Sequence, residues 1–213
     1  MQDADTITLF HAPQSRSGGS LVLLEELGAP YQIHVLNLKA GEQQRPEYRA
    51  VNPLGKVPAI LHRGVLVTEQ VAIFIYLSDL FPQAGLAPAI GDIRRGPYLR
   101  WLVYYAACYE PALVDKAMKR EPAPHATSPY GVFDTMIETI VSQIRDKPYL
   151  LGDDISAADI LWGNALKWGL LFKLLPDDKA ISDYVARITQ RPAAIKVAAM
   201  DAELAAAQAK PSG

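Results

Sequence analysis

Residues 52–60 read NPLGKVPAI, from Asn52 to Ile60. Two prolines and a glycine rule out a regular element up to Pro58, yet an apolar strand, Ala59-Ile60-Leu61, begins directly after it. Proline has no N–H to give to a ladder. The segment therefore enters a sheet at an edge, where Val57 can turn its own N–H and C=O outward and pair with an extended ligand as an added strand. A cis Val57-Pro58 bond would sharpen that turn, and composition alone gives cis a frequency of about 5–6%.

Working outward, Val65-Leu66-Val67 follows across His62-Arg63-Gly64, a tight hairpin, and Glu69–Leu80 (EQVAIFIYLSDL) has helical length and spacing. Upstream, Thr6–Phe10 reads as a strand, Leu21–Leu27 as a helix closed by Gly28, and Tyr31–Leu38 as a second strand. The order is β-α-β, a loop, β-β, α. Residues 81–88 (FPQAGLAP) then carry two prolines and a glycine, and from Asp92 onward the pattern is helical: Tyr98–Met118, Tyr130–Arg145, Ser156–Leu174, Asp177–Gln190 and an alanine-rich, fraying stretch from Pro192. The expected architecture is an α/β domain over 1–80, a linker over 81–91 and an all-helical domain over 92–213.

Composition limits the function. The chain has 213 residues, half of them apolar, with 21 Lys+Arg against 23 Asp+Glu. So small a net charge gathers no phosphates at long range, which argues against nucleic acid and for a small solute. A single cysteine, Cys108, and an opening MQDADTITLF without a basic n-region or long apolar run predict a reducing, cytoplasmic setting. No apolar run approaches membrane-spanning length, so no membrane association is expected. His, Cys and Asp do not cluster as metal ligands do, and no metal is expected. The Gly18-Gly19 pair invites a phosphate-loop reading, but the lysine of GxxxxGK[ST] is missing and so is the GxGxxG spacing, so no nucleotide is expected.

The element order together with QSRSGGS (14–20), LVLLEELGAPY, NPLGKVPAI, VTEQVAIFIYL and ISAADI resembles the cytosolic glutathione S-transferases, of the bacterial serine type, over about residues 6–200. The resemblance implies a thioredoxin-like N-terminal domain that binds glutathione, a helical C-terminal domain, a second pocket for a small hydrophobic electrophile, and a homodimer. It also implies a purpose for the polar joint after the first strand. There a serine hydroxyl hydrogen-bonds the glutathione sulfur and keeps it as thiolate.

Counting back from Leu24 and Gly28 puts Ser15 opposite the active serine of theta-like members, while Ser17 is the alternative, as sulfur ligand or helix N-cap. Two glycines inside a helix are unfavourable by about 1 kcal/mol each, which argues for a helix starting later, at Ser20. His11 either lines the pocket or simply ends the strand, and Arg16 reads as a surface residue. By the resemblance Val57, before a cis Pro58, pairs with the cysteinyl part of glutathione. Glu69 and Gln70 receive its γ-glutamyl end, with Gln70 where relatives carry serine. Lys56 is a candidate for the glycyl carboxylate, with Gln44 and Arg45 as weaker ones.

Ser156 and Asp159 have capping-box spacing and a structural role. In the aromatic helix Trp101, Tyr104, Tyr105, Cys108 and Tyr109 share a broad face that is either core or pocket, with core the default for most of them. Tyr105 and Tyr109 are expected to line the electrophile pocket, with Trp162 and Trp168 as further candidates, and Cys108 reads as a small hydrophobe. Two other activities stay open: a non-catalytic glutathione or hydrophobic-ligand binding protein of the same fold, and a glutathione-dependent disulfide reductase or isomerase.

Overall fold

Ile7–His11 forms strand β1, ending one residue later than its apolar run suggests. Helix α1 (Ser17–Leu27) and strand β2 (Tyr31–Val35) follow. In this computed structural model, residues 5–121 and 123–209 are described. A single turn, α2 (Pro46–Arg49), precedes strands β3 (Ala59–His62) and β4 (Val65–Thr68) and helix α3 (Gln70–Leu80). The sheet order is β2-β1-β3-β4, with β1 parallel to β2 and the other pairs antiparallel. This is the thioredoxin-like arrangement expected.

Local chemistry accounts for each junction. Arg63 and Gly64, at φ 49° and 77°, make the two-residue turn between paired His62 and Val65, both centres left-handed as a strand-matched hairpin requires. Gly28 closes α1 at φ 61°, its N–H donating to the carbonyls of Glu25 and Leu24. Ile7 and Leu9 of β1, Leu21, Leu23 and Leu24 of α1, and Ile73, Phe74 and Leu77 of α3 are wholly buried and form the core of this layer.

Two expectations change here. α1 starts at Ser17, not Ser20, so Gly18 and Gly19 lie inside its first turns, with Gly18 N–H bonded to Ser15 O and Gly19 N–H to Arg16 O. The chain divides after Ala84, within the expected 81–91 linker, but it divides a second time after Gln190, so the helical domain does not run on to the end as expected. The described residues up to Ala84 and those from Arg191 onward form one unit, and Gly85–Gln190 forms the other.

The alanine-rich end is therefore not a frayed tail of the helical domain. It is helix α9 (Pro192–Ala209), which packs on α1 of the first unit. The Arg191 guanidinium pairs both nitrogens with Glu26 at 2.7 Å, Lys196 Nζ lies 2.7 Å from Glu25, Ala194 and Val197 are buried, and Gln208 donates to the Leu36 carbonyl.

The second unit contains α4 (Arg95–Tyr104), a π-helical segment Tyr105–Tyr109, α5 (Glu110–Ala117), α6 (Phe133–Arg145), α7 (Ala157–Leu171) and α8 (Lys179–Thr189). The long aromatic helix is thus continuous but carries a π segment. Trp101, Trp162, Tyr98, Tyr109 and Tyr184 are the largest fully buried side chains of this unit. Asp159 holds three parts of this unit together. Its carboxylate accepts from Leu150 N–H, from the N–H and O–H of Ser156, and from Tyr184 O–H, at 2.7–2.8 Å, and the capping box is present. Burial pushes both the Asp159 carboxyl and the Tyr184 phenol up from their ordinary values, the four hydrogen bonds opposing that on Asp159. No helix among the described residues is long and apolar enough to cross a membrane.

Candidate active site

Sheet register brings the sequence-predicted residues of the first unit to one end of the sheet. Phe10 pairs with Ala59, and Ala59 with Thr68. The residues just beyond each pair, His11 at the end of β1 with Ala12 after it, Val57-Pro58 before β3 and Glu69-Gln70 after β4, therefore lie side by side at this end of the sheet. Crevices beyond the carboxyl end of a strand that feeds a helix are where such α/β layers take ligands.

The segment before β3 is fixed by its neighbours. Val57-Pro58 is cis. Tyr48 O–H and Asn52 Nδ2 both donate to the Lys56 carbonyl, at 2.6 and 2.9 Å, and burial pushes the Tyr48 phenol up to about 12. Gly55 sits at φ 61° with the Gln43 carbonyl 2.7 Å from where a Cβ would stand, so only glycine fits there. Val57 is half-buried against the Phe10, Leu36, Tyr48 and Ala59 cluster, and its N–H and C=O have no hydrogen-bond partner among the described residues. Lys56, by contrast, is exposed.

At the other side Glu69 adopts φ 64°, ψ 116° at the N-cap of α3, a backbone conformation rare outside glycine and common where a ligand is held. Gln70 bridges to the β1–α1 corner, its Nε2 donating to the Arg16 carbonyl at 3.0 Å. Gln44 and Arg45 are exposed on the loop beside Gly55.

The corner itself contains both serines. Ser15 is partly exposed, while Ser17 is fully buried behind it. Their hydroxyl oxygens are 2.7 Å apart, and Ser15 also reaches the Ala12 carbonyl at 2.8 Å and accepts from Ser17 N–H at 3.2 Å. Ser17 is not the N-cap. Arg16 occupies that position and makes no side-chain cap, and the first turn itself carries no acidic residue.

His11 neither lines a pocket nor merely ends a strand. It is wholly buried, with Nδ1 2.9 Å from Ser17 Oγ and Nε2 2.9 Å from Asp201 Oδ1 on α9. Asp201 Oδ2 also accepts from Gln14 N–H at 2.7 Å, holding Gln14 at φ 56°. Sequence reading missed Asp201, for it stands in an alanine-rich run whose docking partner lies 190 residues upstream. The only signal was a pair of acids, Asp201 and Glu203, at mid-helix among small residues.

In the helical unit the aromatic expectations need correction. Tyr109 is a core residue, 0% exposed, its hydroxyl donating to the Ala165 carbonyl and its ring 5.1 Å from Trp162. Tyr105, 4% exposed, stacks on Tyr109 and donates to Glu110. Trp162 is equally enclosed, its Nε1 donating to the Trp101 carbonyl. The π segment turns these rings inward on one another. Trp168, half-buried, stacks on exposed Phe172. Among the described residues no group of three His, Cys, Asp or Glu is placed to hold a metal ion.

Comparison with known proteins agrees with this construction. The family model for "Glutathione S-transferase, N-terminal domain" matches residues 5–79. The glutathione S-transferase GstA of Escherichia coli O157:H7 is 28% identical over 187 residues, 86% of this chain and 93% of that one. The glutathione S-transferase-like protein gedE of Aspergillus terreus is 31% identical over 168 residues, 71% of this chain and 72% of that one. The structure of a sphingomonad glutathione S-transferase complexed with glutathione is 26% identical, covers 92% of this chain and 98% of its own, and superposes with a TM-score of 0.75. The fold, the cis-proline segment and these relatives agree, and the chain belongs to the glutathione S-transferase family.

Proposed function

We propose that this protein binds glutathione at the end of the β1-β3-β4 sheet, holds its sulfur as thiolate with the Ser15 hydroxyl, and conjugates it to a small apolar electrophile. The observation that carries the reading is the partly exposed Ser15 hydroxyl at the start of α1, beside a Val57 backbone whose N–H and C=O have no partner among the described residues. The related glutathione-bound structure supports it. Val57 pairs with the cysteinyl residue of the tripeptide, Glu69, Gln70 and the start of α3 take the γ-glutamyl end, and Lys56 reaches the glycyl carboxylate.

The energetics suffice. A free thiol ionises near pH 8.5, and lowering that by about 2 units requires about 2.7 kcal/mol. A hydrogen bond to a charged group contributes about 1.5–3 kcal/mol and a helix N-terminus up to about 1. Ser15 and α1 together meet the requirement. Ser17, enclosed behind Ser15, positions it. Holding the apolar partner close to the sulfur supplies the rest of the acceleration.

Calorimetry with glutathione and conjugation of a chlorodinitrobenzene-type electrophile test the proposal. We expect micromolar-to-millimolar binding, and Ser15→Ala to lower kcat/KM about 100-fold, or about 2.7 kcal/mol of transition-state stabilisation, with a much smaller change in glutathione affinity. Binding without turnover in the unaltered protein would favour the non-catalytic binding reading instead.

A further inference from the structure

The chain Ser15–Ser17–His11–Asp201 is continuous from a partly exposed hydroxyl to a buried ring and a carboxylate, with steps of 2.7, 2.9 and 2.9 Å. His11 and Ser17 are 0% exposed and the Asp201 side chain 20%. His11 Nε2 and Asp201 Oδ1 sit at an ion-pair separation, off the line of an ideal hydrogen bond, and neither atom has another hydrogen-bond partner among the described residues. A bare nitrogen lone pair facing a carboxylate at that distance is repulsive, so Nε2 carries a hydrogen. His11 Nδ1 is then the one variable atom.

Counting donors defines two states. When Nδ1 is bare, it accepts the single Ser17 proton, and Ser15 turns its own proton inward, to Ser17 or to the Ala12 carbonyl. When Nδ1 is protonated, Ser17 Oγ receives from both Nδ1–H and Ala12 N–H, the latter at 3.0 Å, and its own proton has two acceptors, Ser15 Oγ at 2.7 Å and the Ala12 carbonyl at 3.2 Å, of which we take the shorter. Ser15 then accepts from Ser17 and from Ser17 N–H, and its proton points out of the corner. The two states differ by one proton entering from outside, and the second is a row of aligned donors ending at whatever anion sits against Ser15.

Resting on the glutathione reading above, we propose that the thiol proton leaves along this chain and that His11 is its acceptor. The S–H proton passes to Ser15 Oγ, the Ser15 proton to Ser17 Oγ, and the Ser17 proton to His11 Nδ1. No bond between heavy atoms changes. The products are a thiolate against Ser15 and an imidazolium whose counter-ion is Asp201. His11 and Asp201 act through the serines and are positioning residues. Of the other charges near the corner, Glu25 and Glu26 of α1 pair with Lys196 of α9 and with Arg191 just before it, Arg16 is exposed at the N-cap of α1, and Glu69 stands at the N-cap of α3. His34 of β2 and His62 of β3 face other partners, Phe10 and Tyr76.

The test uses His11→Asn, which keeps a hydrogen-bonding group for Ser17 but accepts no proton, and Asp201→Asn, which keeps an acceptor for Gln14 but removes the charge. The bound thiolate is titrated by its ultraviolet absorbance. Calorimetry in buffers of different ionisation enthalpy counts protons released on glutathione binding. We expect the unaltered protein to ionise the thiol near neutral pH while releasing few protons to the buffer. Each variant should raise the ionisation midpoint by about one unit, a tenfold loss of thiolate at neutral pH, with glutathione affinity at high pH retained. Midpoints equal to the unaltered protein's in both variants, with binding intact, overturn the relay and leave the site reading standing. No glutathione binding by the unaltered protein overturns the site reading and the relay with it. Should His11→Asn melt early, Asp201→Asn, a near-isosteric change at a partly exposed side chain, decides alone.

Discussion

Position 163 shows what one hydrogen atom in place of a methyl group allows. Gly163 lies on α7 where it meets α8, and a Cβ there would stand 2.5 Å from the Ile188 side chain, inside van der Waals contact. Gly163→Ala gains about 1 kcal/mol of helix propensity and loses about 1–3 to overpacking, so a net loss of about 1 kcal/mol is expected in urea unfolding. Gly18 is the opposite case. It is helical, no heavy atom lies within 4 Å of the position its Cβ would take, and its φ is ordinary. Gly18→Ala should raise the melting temperature by the equivalent of about 0.5–1 kcal/mol. Asp159 is a third residue whose role is structural. Asp159→Ala leaves the N–H groups of Leu150 and Ser156 and the hydroxyls of Ser156 and Tyr184 without their acceptor, and about 3–5 kcal/mol of stability should be lost, measured by chemical denaturation.

Among the elements, what was legible in the sequence was what short-range rules decide. The Arg63-Gly64 hairpin, the Gly28 stop, the Ser156 capping box and the proline-broken loop before β3 each follow from one or two residues whose conformation is restricted. So does the pairing of apolar strands with amphipathic helices. The start of α1 was misplaced because glycine propensity argued against helix, whereas the Ser15 and Arg16 carbonyls capture the N–H groups of Gly18 and Gly19. The aromatic helix was misread in a different way. Spacing put Tyr105 and Tyr109 on a broad face that could be core or pocket, and the structure, with a π segment at this point, buries both against Trp162. In the candidate site, Ser15, Val57, Pro58 and Gln70 were named from motif and position, and the sheet brings them to one end of the first unit. Asp201 was not, since nothing local ties an acid on the last helix to the first strand.

For the molecule as a whole, the seam between α1 and α9 is the most consequential departure from the expected division. It is polar at its rim, with Glu25–Lys196 and the two-pronged Glu26–Arg191 pair, and apolar beneath, with Ala194 and Val197. The Glu26 side chain is 10% exposed, so this pair is better shielded than a surface bridge. A double-mutant cycle of Glu26→Ala and Arg191→Ala should return a coupling of about 1–2 kcal/mol, read from thermal or urea unfolding.

That seam also sets a timetable. A ribosome adds about 5–20 residues each second, so on the order of 10 s separate the emergence of the sheet from that of its closing helix, with the whole Gly85–Gln190 unit made in between. Through that interval the newborn layer exposes the groove α9 will fill, and its two adjacent glutamates have no cation opposite them. The sheet is thus started first and finished last, and the interval before closure is when a chaperone would have most to hold.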